Sequence, residues 1–134
     1  MYDVCALSAD EVLLACGYAG LRAVSLRAVS LHTAQPTTIR DVYRAAFDTH
    51  TDTLLLVVKS PTDEYSQLVS LRRNASEWLE VQHLYTRLAY NTHPYTSILV
   101  CDSRVLLVEV GMDTLYVFDV SAEHTLHYAG NATL

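Results

Sequence analysis

The sequence predicts an all-β protein made of three four-stranded antiparallel units. Its apolar runs are short and aliphatic, at positions 12–16, 54–58 and 105–110, and each run is followed by turn-forming residues. A run of this length bounded by turn chemistry is typical of a buried strand. No window of about 12 or more residues has helical periodicity, so the runs are predicted to be strands and not parts of helices.

A repeated passage surrounds each run. A strand, a short polar turn, the apolar strand, a second turn and a third strand follow one another, and fourth strands are predicted at 27–32, 78–84 and 125–128. In the second strands, the equivalent positions are 42 and 51 residues apart: Leu13, Leu55 and Leu106. In the third strands, they are 45 and 48 residues apart: Val24, Val69 and Val117. A period of about 40–50 residues with four strands is the signature of a propeller blade.

Turn-forming segments divide the chain into predicted blades at residues 2–38, 39–88 and 89–134. Pro36 lies in the first connector, and proline cannot donate a hydrogen bond to a strand ladder. The sequence Asn-Thr-His-Pro at 91–94 indicates the second connector.

This pattern resembles the β-propeller repeat proteins of the broad WD40, kelch and NHL-like group, and the resemblance covers essentially the whole chain. The segment 115–120, Leu-Tyr-Val-Phe-Asp-Val, is similar to a WD-type third strand. The Gly-His and Trp-Asp pairs of WD40 repeats and the double glycine of kelch repeats are absent from the sequence, so no subfamily is identified. The resemblance implies a β-propeller with three four-stranded antiparallel blades per chain.

Three blades form only an arc, because closed propellers usually have about 4–8 blades. If about 6–8 apolar side chains lie on each open end, roughly 12–16 kcal/mol of favourable burial free energy is not gained while that end stays exposed. Association costs about 4–15 kcal/mol. We therefore expect this chain to be half of a six-bladed ring that two copies close head to tail, as a homodimer. The alternative left open is that the chain is a fragment of a longer propeller.

Charge and composition exclude several classes of partner. The net charge is −6, with 9 basic and 15 acidic residues, which argues against binding to nucleic acid or to an anionic membrane. No segment approaches the ~20 apolar residues that span a bilayer, and no secretory signal is visible at the start, so a cytoplasmic location is expected. Cys5, Cys16 and Cys101 lie in apolar runs and are predicted to be buried free thiols.

Two polar clusters contain residue types that bind metal ions. In residues 48–52, Asp-Thr-His-Thr-Asp, alternating side chains on an extended segment would share one side, although a solvated turn is the favoured interpretation. His124 and His127 are predicted on a strand, where positions three apart point to opposite faces. The sequence has no nucleophile elbow and no glycine-rich phosphate loop. No catalytic, cofactor or metal site is therefore predicted, and the ligand-binding residues are left open.

Aromatic residues are the remaining candidates for a binding surface. Nine tyrosines are present, and six of them lie near predicted turns or the second connector: Tyr18, Tyr65, Tyr85, Tyr90, Tyr95 and Tyr116. Packing between blades is the favoured role for these rings, and Trp78 is predicted on an outer strand. The expected function is a non-catalytic scaffold or binding module for protein–protein interaction. A carbohydrate-binding or small-ligand-binding propeller is the alternative, and a propeller hydrolase is a third hypothesis.

Overall fold

The computed structural model describes residues 2–27, 33–59, 66–75, 77–85, 96–109 and 114–133. In these ranges every regular element is a β-strand, and the strands form three four-stranded sheets. All strand pairs are antiparallel, and each sheet follows the order of the chain. The predicted all-β class and its four-stranded antiparallel units are therefore confirmed.

The twelve strands in the described part of the chain have the following bounds. The first sheet contains β1 Asp3–Ala6, β2 Glu11–Ala15, β3 Leu21–Ser25 and β4 Thr33–Ala34. The second sheet contains β5 Val42–Asp48, β6 Thr53–Lys59, β7 Ser66–Asn74 and β8 Glu77–Tyr85. The third sheet contains β9 Thr96–Cys101, β10 Arg104–Glu109, β11 Thr114–Val120 and β12 Leu126–Thr133.

Local turn chemistry explains two of the reversals. β9 and β10 are joined by Asp102 and Ser103 alone, which have φ values of 49° and 59°. Positive φ at both central residues is the mark of a type I′ hairpin turn, whose twist matches that of the flanking strands. At Gly20 (φ 82°), an added Cβ would lie 2.4 Å from the carbonyl oxygen of Ile39, so the close approach of the first connector requires glycine there.

The fourth strands differ in part from their predicted positions. Most of the segment predicted at 27–32 lies outside the described residues, and the described β4 is the short strand Thr33–Ala34. β12 extends well beyond the predicted 125–128 to Thr133, and its pairing with β11 has a bulge at Ala129, between the pairs Val117–Gly130 and Phe118–Tyr128.

The three sheets stack face to face, with the second sheet in the middle. Leu54 and Leu56 of β6 lie in one core with Leu13 and Ala15 of the first sheet. The intervening residues of β6, including Leu55, lie in another core with Val105 and Leu107 of the third sheet. Because successive side chains of a strand point to opposite faces, both faces of the second sheet are buried.

The first strands of the sheets adjoin one another. β5 contacts β1 on one side and β9 on the other. The backbone N–H of Ala45 in β5 donates a hydrogen bond to the Asp3 carboxylate of β1, with an N···O distance of 3.1 Å. The described residues include no helix that is long and apolar enough to cross a membrane.

Candidate functional site

The outward surface of the third sheet is apolar. In β10, Val105 and Leu107 face the second sheet, so Leu106 and Val108 point the other way. The register places further apolar side chains beside them, and we call this set the third-sheet outer face: Leu99, Leu106, Val108, Leu115 and Val117. Leu99 is 60% exposed and the other four are half-buried. Nothing in the described part of the chain packs a further sheet against this face.

The outward surface of the first sheet has the same character. Cys5 and Leu13 point into the core with the second sheet, so their strand neighbours point outward. We call this set the first-sheet outer face: Val4, Ala6, Val12, Leu14 and Val24. Val4 is 50% exposed, and Arg22, opposite Leu14 in the register, adds a positive charge to the same side. The stack of sheets therefore ends in an apolar face on each side.

Hydrogen bonds between side chains link the second sheet to the third. The Asp48 carboxylate is 1% exposed, and it accepts a hydrogen bond from the Ser103 hydroxyl at 3.0 Å and another from the Thr51 hydroxyl. Thr53 Oγ1 lies 2.8 Å from Nδ1 of His124. These contacts join the β5–β6 turn to the β9–β10 and β11–β12 turns, so the buried polar groups have a structural role.

The segment 48–52 does not gather into a ligand set. Asp48 points inward, whereas His50 and Asp52 are exposed, and Asp52 has a φ of 53° in the turn between β5 and β6. Nε2 of His50 lies 3.6 Å from the carboxylate of Asp102. Within the described ranges, no group of three or more His, Cys, Asp or Glu side chains is placed to hold a metal ion.

The prediction for the histidine pair is partly wrong. His127 lies on β12, but His124 lies in the preceding turn with a φ of 65°. The turn places His124 against Thr53, while Nε2 of His127 lies 3.1 Å from the Thr125 hydroxyl. The two rings therefore have separate partners because His124 lies in the turn, and not because positions three apart on one strand point to opposite faces.

One cysteine prediction is also wrong. Cys5 is buried, and burial, with a smaller contribution from the Asp3 charge, raises the pKa of its thiol from 9.0 to about 11. Cys16 is half-buried, but Cys101 is exposed. Cys101 is the last residue of β9 and lies opposite Arg104, on the outward side of the sheet. Every second residue of the apolar run before it points to that same outward side. The three thiols are free.

Tyrosines of the described residues divide between packing and exposure. Tyr18 is 70% exposed in the turn before β3, and the Arg40 guanidinium lies 5.1 Å from its ring centroid. Tyr116 packs against the core between the second and third sheets. Tyr85 ends β8, and the other candidates lie outside the described residues: Tyr65, Tyr90 and Tyr95.

Trp78 lines a crevice between the first and second sheets. It lies on the outer strand β8 and is only 5% exposed. The Arg73 guanidinium covers its ring at 4.7 Å from the centroid and lies 3.8 Å from the Glu11 carboxylate. These three side chains line a crevice of about 140 Å³ together with apolar neighbours that include Leu7 and Pro36. The sequence indicated the strand of Trp78 but not the charged pair, because Glu11 and Arg73 belong to different sheets.

Comparison with known proteins adds information about the fold. No family model and no curated protein matches the chain. Among solved structures, the chain is similar to the crystal structure of a protein from Lactobacillus plantarum, with a TM-score of 0.53 and 12% sequence identity. The match covers 93% of this chain and 53% of that chain. The likeness at this identity shows the fold alone, and this chain spans about half the length of its structural neighbour.

Proposed function

We propose that this protein is a non-catalytic β-propeller scaffold and binding module that completes its ring by self-assembly. Each chain contributes three blades, and two chains pair head to tail to form six. The observation that carries this proposal is the pair of apolar outer faces at the two ends of the stack, with Leu99 60% exposed and Val4 50% exposed. Faces of this composition are rare on soluble monomers.

The energetics support association. A joint between the two outer faces would cover nine side chains that are half-buried or exposed, and Val24, which is already only 5% exposed. If each of the nine gains about 1 kcal/mol, a joint contributes about 9 kcal/mol and two joints about 18 kcal/mol, as an upper estimate. Association costs about 4–15 kcal/mol. The two joints of a closed ring would therefore exceed this cost.

The likeness to a longer chain also supports the proposal, because the matched region covers 93% of this chain but only 53% of that chain. A continuation of this same chain remains the alternative source of the missing blades. In either case the rigid ring would present its turns to a second protein, and Tyr18, 70% exposed, is the most exposed large hydrophobic side chain of the described residues. The net charge of −6 favours a protein partner over nucleic acid or an anionic membrane.

Small-ligand binding is the second candidate function, and the crevice beside Trp78 favours it. Apolar walls with one carboxylate and one guanidinium suit a small molecule that carries a polar group on an apolar body. A carbohydrate is less well matched, because a sugar stacks on an open aromatic face and Arg73 covers the ring of Trp78. Titration of the single tryptophan's fluorescence with a panel of small acids and sugars tests this candidate.

Light scattering after size exclusion, across a dilution series, tests the principal proposal. A stable mass near twice the 15.0 kDa of the chain is expected. A monodisperse 15.0 kDa species at high concentration would contradict self-assembly. A ladder of growing masses would indicate contacts that do not close into a ring.

A further inference from the structure

We infer that the joint is heterologous: the third-sheet outer face of one copy seats on the first-sheet outer face of a second copy. This inference rests on the proposed head-to-tail self-assembly and deepens it by identifying the strands and side chains that form each joint. It is carried by the way in which the three sheets already pack within one chain.

The packing has a direction. The side of β2 that bears Leu13 meets the side of β6 that bears Leu54 and Leu56. The opposite side of β6, which bears Leu55, meets the side of β10 that bears Val105. Each sheet thus has a forward face, which meets the next sheet in the chain, and a backward face, which meets the previous one.

The two faces left at the ends are of opposite kinds. The third-sheet outer face is a forward face, because it lies opposite Val105 and Leu107. The first-sheet outer face is a backward face, because it lies opposite Leu13 and Ala15. Contact between these two faces repeats the arrangement at both junctions within the chain. Pairing of two forward faces, as in an isologous dimer, would create a contact that the chain does not otherwise use.

The position of the first strands identifies where this joint would be tightest. β1, β5 and β9 adjoin one another through the stack. A repeat of the same arrangement brings β9 of one copy beside β1 of the other. Leu99 lies on β9 and Val4 on β1, and each is the most exposed large apolar side chain of its outer face. These two side chains are therefore expected to be buried together at each joint.

A second copy is the occupant that fits both ends at once. One chain carries one forward face and one backward face, so a second copy covers both with the same contact and leaves neither exposed. Each face is apolar at its centre and carries charge beside it. The Arg104–Asp119 ion pair, at 3.3 Å, lies on the outward side of the third sheet, and Arg22 lies on that of the first.

The test uses two variants that each block one face. Leu99→Glu blocks the forward face and Val4→Glu the backward face, and both positions are exposed enough to accept a charge in the folded monomer. Each variant alone is expected to remain at 15.0 kDa, because every joint needs both faces. An equimolar mixture is expected to form a dimer, since the intact forward face of one variant meets the intact backward face of the other. That dimer has one joint instead of two, so it should dissociate at roughly a hundredfold higher concentration than the wild type or more.

The controls separate the inference from the proposal on which it rests. Tyr128→Glu changes a side chain that is 57% exposed on the side of Phe118, off the outer face, and it should keep the wild-type mass. Circular dichroism establishes that each variant is folded. If the wild type is a dimer and either face-blocking variant alone is also a dimer, the heterologous joint is overturned while self-assembly stands. A monomeric wild type would overturn both.

Discussion

Truncating Leu55 to alanine tests whether both faces of the second sheet are part of the core. Leu55 and Leu56 are adjacent on β6, point to opposite sides and are both 0% exposed. A leucine-to-alanine change in a filled core costs about 2–5 kcal/mol, because burial is lost and a cavity remains. We therefore expect Leu55→Ala and Leu56→Ala each to lower the free energy of unfolding by about 3 kcal/mol. Urea denaturation at one fixed protein concentration measures this quantity.

The matched control is Leu106→Ala on the third sheet. Leu106 occupies the same place in its repeat as Leu55 but lies on the outer face and is half-buried. In diluted, monomeric protein this change should cost about 1 kcal/mol or less, since little cavity is formed. A small cost for either Leu55→Ala or Leu56→Ala would refute the stacked arrangement, because one face of the second sheet would then be open to solvent.

Three further predictions concern buried groups. Asp48→Ala should lower the free energy of unfolding by about 2–4 kcal/mol, measured by urea denaturation, because the charge-assisted hydrogen bond from Ser103 is lost. Ser70→Ala should leave stability unchanged or raise it by about 1 kcal/mol in a thermal melt, since the buried Ser70 hydroxyl has no hydrogen-bond partner among the described residues. Because burial raises the pKa of the Cys5 thiol from 9.0 to about 11, the thiol loses its proton at a lower pH in the unfolded chain than in the folded protein. The free energy of unfolding of the wild type should then fall by about 2 kcal/mol relative to that of Cys5→Ala between pH 9 and 11, and a constant difference would contradict this.

Strands with a strong local pattern could be predicted from the sequence. The runs at 54–58 and 105–110 became β6 and β10, because a short apolar segment bounded by turn residues is typical of a strand. The repeat spacing then gave the four-stranded units. The bulge in β12 was not predictable, because it depends on pairing with β11 and not on the residues of β12 alone.

The contacts between side chains of different sheets could not be predicted from the sequence. Residues 48–52 are predicted to form a solvated turn, but Asp48 is buried and its carboxylate accepts a hydrogen bond from Ser103, in the turn of another sheet. Cys101 was expected to be buried because it follows an apolar run, although that run feeds an outward face. Such errors arise wherever burial is decided by the stacking of sheets, which periodicity along one strand does not specify.

Thermal unfolding over a hundredfold range of protein concentration tests the central claim most directly. If two copies bury each other's outer faces, unfolding is coupled to dissociation, and a hundredfold increase in concentration contributes about 2.7 kcal/mol to each dimer. With an unfolding entropy of about 2.1 cal/mol/K per residue over two chains, Tm should rise by about 5 °C. A Tm that does not change with concentration would contradict the claim, because the two apolar faces would then be stable without a partner.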